Sequence, residues 1–203
     1  MVQKTKFLFA SLMMLGCSFC FTSCSSDDDD VTKEPVITIE IVKGEYSGKM
    51  DVIVLTPESD LRMAAEVAVG GTNVSATIKN DTVFFEDFPI KSLVELMVPE
   101  EEVDEIVQAA GKVSYKVGYK ASFNAAQDSL LMELDPKPLE LTVSLDDEST
   151  LSIKMDVSVA EKGIYSVEKK KLVFEVKAYK VTIDDEEIED FEAPLIKFDL
   201  NQK

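Results

Sequence analysis

Alternation with a period of two dominates this chain and constrains its fold more than any other feature. Leu151, Ile153, Met155, Val157 and Val159 share one side of an extended backbone, with Ser152, Lys154, Asp156 and Ser158 on the other. Tyr46, Met50, Val52 and Val54 repeat the pattern, as do Val74, Ala76 and Ile78, then Val113, Tyr115, Val117, Tyr119 and Ala121, then Leu139, Leu141 and Val143. Side chains of a strand point alternately to opposite faces, so each run is a strand with one buried and one wet face. One-sided strands of this kind build antiparallel sheets.

Breaks between the runs carry turn chemistry. Pro57-Glu58-Ser59-Asp60, Gly70-Gly71, Asn80-Asp81, Pro136-Lys137-Pro138 and Asp146-Asp147-Glu148-Ser149 all read as turns. Val36–Val42 reads as an extended β-branched run. Beyond Ala178 the apolar parity moves to Tyr179, Val181 and Ile183, which predicts a bulge near Lys177–Ala178. Asp184–Asp190 reads as an acidic turn before a last strand at Leu195–Leu200.

Between Pro89 and Gly111 the period becomes helical. Ile90, Leu93, Val94 and Met97 fall three and four residues apart. After Pro99, Glu100-Glu101-Glu102 suits the positive end of a helix dipole. Val103, Ile106, Val107 and Ala110 make its apolar stripe, and Gly111 is a natural stop. The chain is therefore expected to be mainly β, an antiparallel meander closing into a barrel or a sandwich. A short helical insertion around residues 89–110 would cover an open end or edge of the sheet.

The first thirty residues follow another logic. Lys4 and Lys6 precede the apolar run Phe7–Phe21, too short for a stable membrane span but suited to a signal peptide. Thr22-Ser23-Cys24 then resembles the lipobox of bacterial lipoproteins, in which the cysteine is lipidated and begins the mature chain. The run Ser25, Ser26, Asp27, Asp28, Asp29, Asp30 resembles the surface-export signal of Bacteroidales-type lipoproteins. The resemblance implies three parts: signal peptide 1–23, lipidated acidic tether 24–35 and a single β-rich domain 36–203. A division of that domain into halves near 98–111 is the alternative. The implied location is the outer membrane, lipid-anchored and surface-exposed, with a periplasm-facing orientation as the alternative.

Composition removes whole classes of chemistry. The chain has no histidine, and of its 3 cysteines Cys17 and Cys20 lie in the signal core. Histidine triads, imidazole metal sites, thiolate nucleophiles and disulfides are therefore excluded from the mature domain. Loss of Lys4 and Lys6 leaves 39 acidic residues against 19 basic ones, a net charge of about −20. A field of that sign repels nucleic acid, so membrane contact rests on the lipid. No cofactor is expected. The acidic clusters Asp27–Asp30, Asp146–Glu148 and Asp184–Asp190 could collect Ca²⁺, although none has the EF-hand spacing.

Gly44-Glu45-Tyr46-Ser47-Gly48, opening a meander that ends at Phe88-Pro89, resembles lipocalin-like or calycin-like lipoproteins, many of them of unknown function. That resemblance implies a ligand-holding barrel. Tyr46, Phe84, Phe88, Tyr115, Tyr119 and Phe123 are the candidate lining residues at its mouth, and core packing is their other reading. A non-catalytic, lipid-anchored binding or accessory protein is the expected function, with a small apolar ligand, a glycan or a protein as partner. A hydrolase using two carboxylates on surface glycans or cell-wall polymers is the alternative.

Overall fold

A computed structural model describes residues 38–55, 66–144, 149–159, 161–189 and 191–203. Cys24, the Ser25–Asp30 run and the turns at 57–60 and 146–148 lie outside them. Ile37–Lys203 forms one compact unit.

The strands are β1 (Gly44–Leu55), β2 (Glu66–Lys79), β3 (Thr82–Phe85), β4 (Tyr115–Phe123), β5 (Ser129–Pro136), β6 (Leu139–Ser144), β7 (Thr150–Ser158), β8 (Gly163–Ser166), β9 (Lys171–Ile183), β10 (Glu186–Glu187) and β11 (Leu195–Gln202). All pair antiparallel. β5 and β6 are two halves of one strand interrupted at Lys137-Pro138, and β7 and β8 are halves of another. The pairings show it: Ser129 faces Ser166 between β5 and β8, while Leu139 faces Met155 between β6 and β7. β11 pairs with β1 on one side and β9 on the other, so the last strand returns to the first. The result is an eight-stranded antiparallel barrel, with β10 a small hairpin extension of β9. Closure decides for the barrel over the sandwich, because it leaves no second sheet to pack against.

The alternating residues line its interior. Tyr46, Met50, Val83, Phe85, Leu130, Met132, Met155, Tyr165, Leu172, Phe174 and Phe198 are all buried. Phe174 stacks on Phe198 at 4.5 Å between centroids, and Phe198 meets Phe85 at 5.1 Å. Aromatic rings thus fill the space that a calyx would leave for a ligand.

Both ends are covered, by different means. Gly44 of β1 faces Ile78 of β2, so the start of β1 and the Asn80-Asp81 turn share one end. Here the sequence reading needs correction: Ile39–Val42 is a 3-10 turn rather than extended chain. It takes no strand partner, and tucks Val42 into the core while its carbonyls accept hydrogen bonds from below. Tyr46 Oη donates to Val42 O at 2.6 Å, and Gln202 Nε2 donates to Ile41 O at 3.0 Å and to Lys43 O at 2.9 Å. Gln202 Oε1 accepts from Tyr165 Oη at 2.7 Å. One side chain therefore ties the entry turn to the last strand. Gln202→Ala is expected to cost about 2 kcal/mol, since it strands Lys43 O and leaves Tyr165 Oη and Ile41 O with their long 3.4 Å bond to one another. Urea unfolding measures this, and a loss below about 0.5 kcal/mol would contradict it.

The helical insertion leaves β3 and re-enters β4 at the opposite end. Only one turn of its first half is helical, α1 (Lys91–Val94), followed by α2 (Glu100–Ala110). Leu93, Val94, Val103 and Ile106 are buried as the periodicity requires, and Gly111 closes α2 at φ +58°. That backbone region is accessible to glycine at little cost.

Two bulges re-aim the strands. Gly70-Gly71 is no turn: β2 runs straight through it, with Asp51 of β1 facing two residues where the register slips. Gly71 holds φ +77°; its N–H donates to Asp51 Oδ1 at 2.6 Å and its carbonyl accepts from Lys49 Nζ at 2.7 Å. The second bulge lies in β9, where Asp156 faces Lys180 and Val157 faces Ala178. The extra residue is Tyr179, which the bulge throws outward to 58 % exposure, while Val181 returns to the core.

Candidate functional site

The six aromatic residues proposed for a mouth do not gather around one. Tyr46, Tyr119 and Phe123 belong to the end closed by the 3-10 turn. Phe88 and Tyr115 belong to the end covered by the helices, where their centroids lie 5.0 Å apart and Tyr115 Oη donates to Lys137 O at 3.0 Å. Tyr46, Phe88, Tyr115 and Tyr119 are buried, and Phe123 packs half-buried against the core. Phe84 is the correction. Its neighbours Val83 and Phe85 are fully buried, so Phe84 must point to the outer face of the barrel.

On that outer face Phe84 has cationic company. It stands opposite Thr77 of β2 and Lys116 of β4, and Lys79 stands opposite Thr82 one step along the strands. Lys116 Nζ lies 5.4 Å from the ring centroid and Lys79 Nζ 5.8 Å. Both are within the range where an ammonium is held by the ring's negative face. Lys79, Asn80, Thr82, Phe84 and Lys116 line a depression of about 260 Å³. Neither lysine is a candidate in the sequence; the parity of Val83 and Phe85, carried through the Asn80-Asp81 turn, puts Lys79 on the face of Phe84, and only the pairing of β3 with β4 adds Lys116.

The other well-formed depressions lie on the outside too. One of about 660 Å³ is bordered by Tyr179, Lys180, Glu186–Glu189 and Phe191, and one of about 410 Å³ by Asp81, Tyr119, Lys120, Glu133 and Asp135. None is lined by Phe85, Phe174, Phe198 or the interior methionines.

Among the described residues no charged side chain is buried, and no group of three carboxylates is placed to hold a metal ion. Asp184 and Asp185, both at positive φ, form the turn after β9, and Asp184 Oδ1 accepts from Ser152 N at 2.8 Å. That Asp184–Asp185 pair is spent on a turn.

The buried ionisable groups are phenols. Desolvation pushes Tyr119 up to about 12, with Asp81 and Glu40 adding to the effect. Desolvation also raises Tyr46, Tyr115 and Tyr165. An unfolded tyrosine ionises near pH ~10, so above that pH the unfolded chain sheds protons that the barrel retains. Stability is therefore expected to hold up to about pH 10 and to fall between there and about pH 12. Urea midpoints measured across that range test it, and a flat profile would contradict it.

Residues 41–183 match a family described as a domain of unknown function, DUF4840. The chain belongs to the DUF4840 family. No curated protein and no solved structure matches it. The DUF4840 match begins inside the 3-10 turn and ends with the last residue of β9, before β11. In this DUF4840 chain, β11 nonetheless closes the barrel and carries the Gln202 tie.

Proposed function

We propose that this DUF4840 chain is a lipid-anchored protein of the outer membrane, held by Cys24 and displayed outward by the acidic run Ser25–Asp30. The barrel serves there as a non-catalytic binding or accessory module. What carries the anchor is the order of segments in the sequence: basic start, short apolar core, Thr22-Ser23-Cys24, then four aspartates. Among the described residues no helix is long and apolar enough to cross a membrane. The non-catalytic reading is supported by the barrel itself: its interior is apolar, and the described carboxylates stand at the surface. A two-carboxylate hydrolase needs an acid and a base facing one another across a cleft. No observation favours it.

Expression in a Gram-negative host that processes lipoproteins tests the anchor. The wild-type chain is expected to enter the detergent phase on Triton X-114 partition and to incorporate labelled palmitate, and Cys24→Ala is expected to lose the label. Wild-type protein in the aqueous phase would refute the anchor. Turnover of glycans, peptides or esters by the purified chain would refute the non-catalytic role.

A further inference from the structure

We infer that the outer face of β2, β3 and β4 binds an acidic saccharide, with Phe84 as its platform and Lys79 and Lys116 as the partners of its carboxylate. This names the ligand class of the proposed binding module and rests on that reading, though not on the lipid anchor.

A shared ring makes the cluster stand out. The chain has 39 acidic residues for 21 basic ones, so a lysine has many carboxylates to choose from. Lys79 and Lys116 enter none of the ion pairs among the described residues, a property they share with Lys49, Lys112, Lys120, Lys169, Lys170 and Lys177; what sets these two apart is the ring they share. Their ammoniums are held over it, one from each strand flanking β3. Two cations about a partly buried aromatic ring suit a ligand with an apolar face and a negative charge at its edge. Covering lysine stems would account for the ring alone. It does not require two ammoniums from different strands to converge on one ring.

The rim narrows the class. Thr82 and Asn80 border the basic depression, and both carry groups that bond hydroxyls. Phe84 is also a wall of a second depression of about 210 Å³, where Ser75 and Thr77 present further hydroxyls, and Glu45, Glu86 and Asp87 stand against Lys112 and Lys203. A ring with an apolar face, many hydroxyls and one carboxylate matches the whole surface: a uronic-acid unit beside neutral units. Nucleic acid also offers flat rings and negative charge, but its dense phosphates meet the repulsion of a strongly acidic protein.

The test uses residues 25–203, expressed without the apolar leader and purified without detergent, with titrations by calorimetry and by amide NMR. A tetrasaccharide carrying one glucuronate beside three neutral xylose units, neutral maltotetraose and a single-stranded DNA tetramer are the three probes. Saturable, salt-weakened binding of the uronate is expected, with shifts confined to residues around Phe84. Maltotetraose and the DNA are expected to bind at least roughly tenfold more weakly. Phe84→Ala and the double change Lys79→Gln with Lys116→Gln are each expected to weaken the uronate roughly tenfold. The lysine pair is at the surface, so it keeps the test intact should Phe84→Ala disturb the sheet. Absence of uronate binding, equal binding of maltotetraose, tighter binding of DNA, or indifference to the lysine changes would each overturn the inference. Because this chain lacks the anchor, such a failure leaves the membrane-partition result standing.

Discussion

Gly48→Ala is expected to destabilise the barrel by about 3 kcal/mol or more, among the largest effects available to a single added methyl. Gly48 lies in β1 opposite Leu200 of β11, at the seam where the last strand meets the first. A Cβ there would drive into the carbonyl oxygen of Asp199 and come within 2.9 Å of Leu200 Cα. Backbone, unlike a flexible side-chain tip, cannot step aside without breaking the ladder. The strain therefore falls on closure itself. Gly118→Ala is the control, because its Cβ would meet Asp135 O at an ordinary 3.5 Å. Chemical denaturation is expected to show Gly118→Ala within about 1 kcal/mol of wild type and Gly48→Ala far below it. Similar losses at both positions would mean that the seam is not a special constraint.

Phe198→Ala is expected to cost about 4 kcal/mol, which lowers the melting temperature by roughly 10 °C in a chain of this size. Phe198 is fully buried, and its ring touches three others: Phe174 at 4.5 Å, Phe85 at 5.1 Å and Phe88 at 6.2 Å. Removing it opens a cavity bordered by rings from β3 and β9, elements on opposite sides of the barrel wall that cannot collapse together. Phe198→Leu keeps most of the volume and is expected to lose less than half as much. Calorimetric melts of the two variants check the order. Equal melting temperatures for wild type and Phe198→Ala would show that the column of rings does not hold the barrel.

Much of this architecture was readable before any coordinates. Alternation located the strands because each has one dry face, and the turn at Asn80-Asp81 follows from residues that tolerate positive φ. The bulge in β9 was readable as a parity slip, although Tyr179 itself belongs outside and not on the apolar face. Three features were hidden, each for a physical reason. Ile39–Val42 has strand-like residues but no strand beside it; the phenol of Tyr46 and the amide of Gln202 make a 3-10 turn the better use of its carbonyls. Gly70-Gly71 looks like a turn because glycine suits bulges and turns alike, and only the partner strand tells them apart. The filled interior was not readable at all: an inward tyrosine or phenylalanine has the same alternation whether it lines a ligand or packs against another ring.

The candidate site shows the same limit from the other side. Phe84 stands out in the sequence as an aromatic residue, but nothing there separates it from the five that point inward. Lys79 and Lys116 lie 37 residues apart, and only the pairing of β3 with both neighbours brings them over one ring.

That the barrel is filled is tested most directly through its interior methionines. Met50, Met132 and Met155 are buried within the wall, and ¹³C-methyl labels on them report any molecule that enters. Titrating residues 25–203 with a long-chain fatty acid is expected to leave these three resonances in place at every concentration below micelle formation. Saturable shifts of Met50, Met132 and Met155 would mean that the interior opens to an apolar ligand, and would contradict the account.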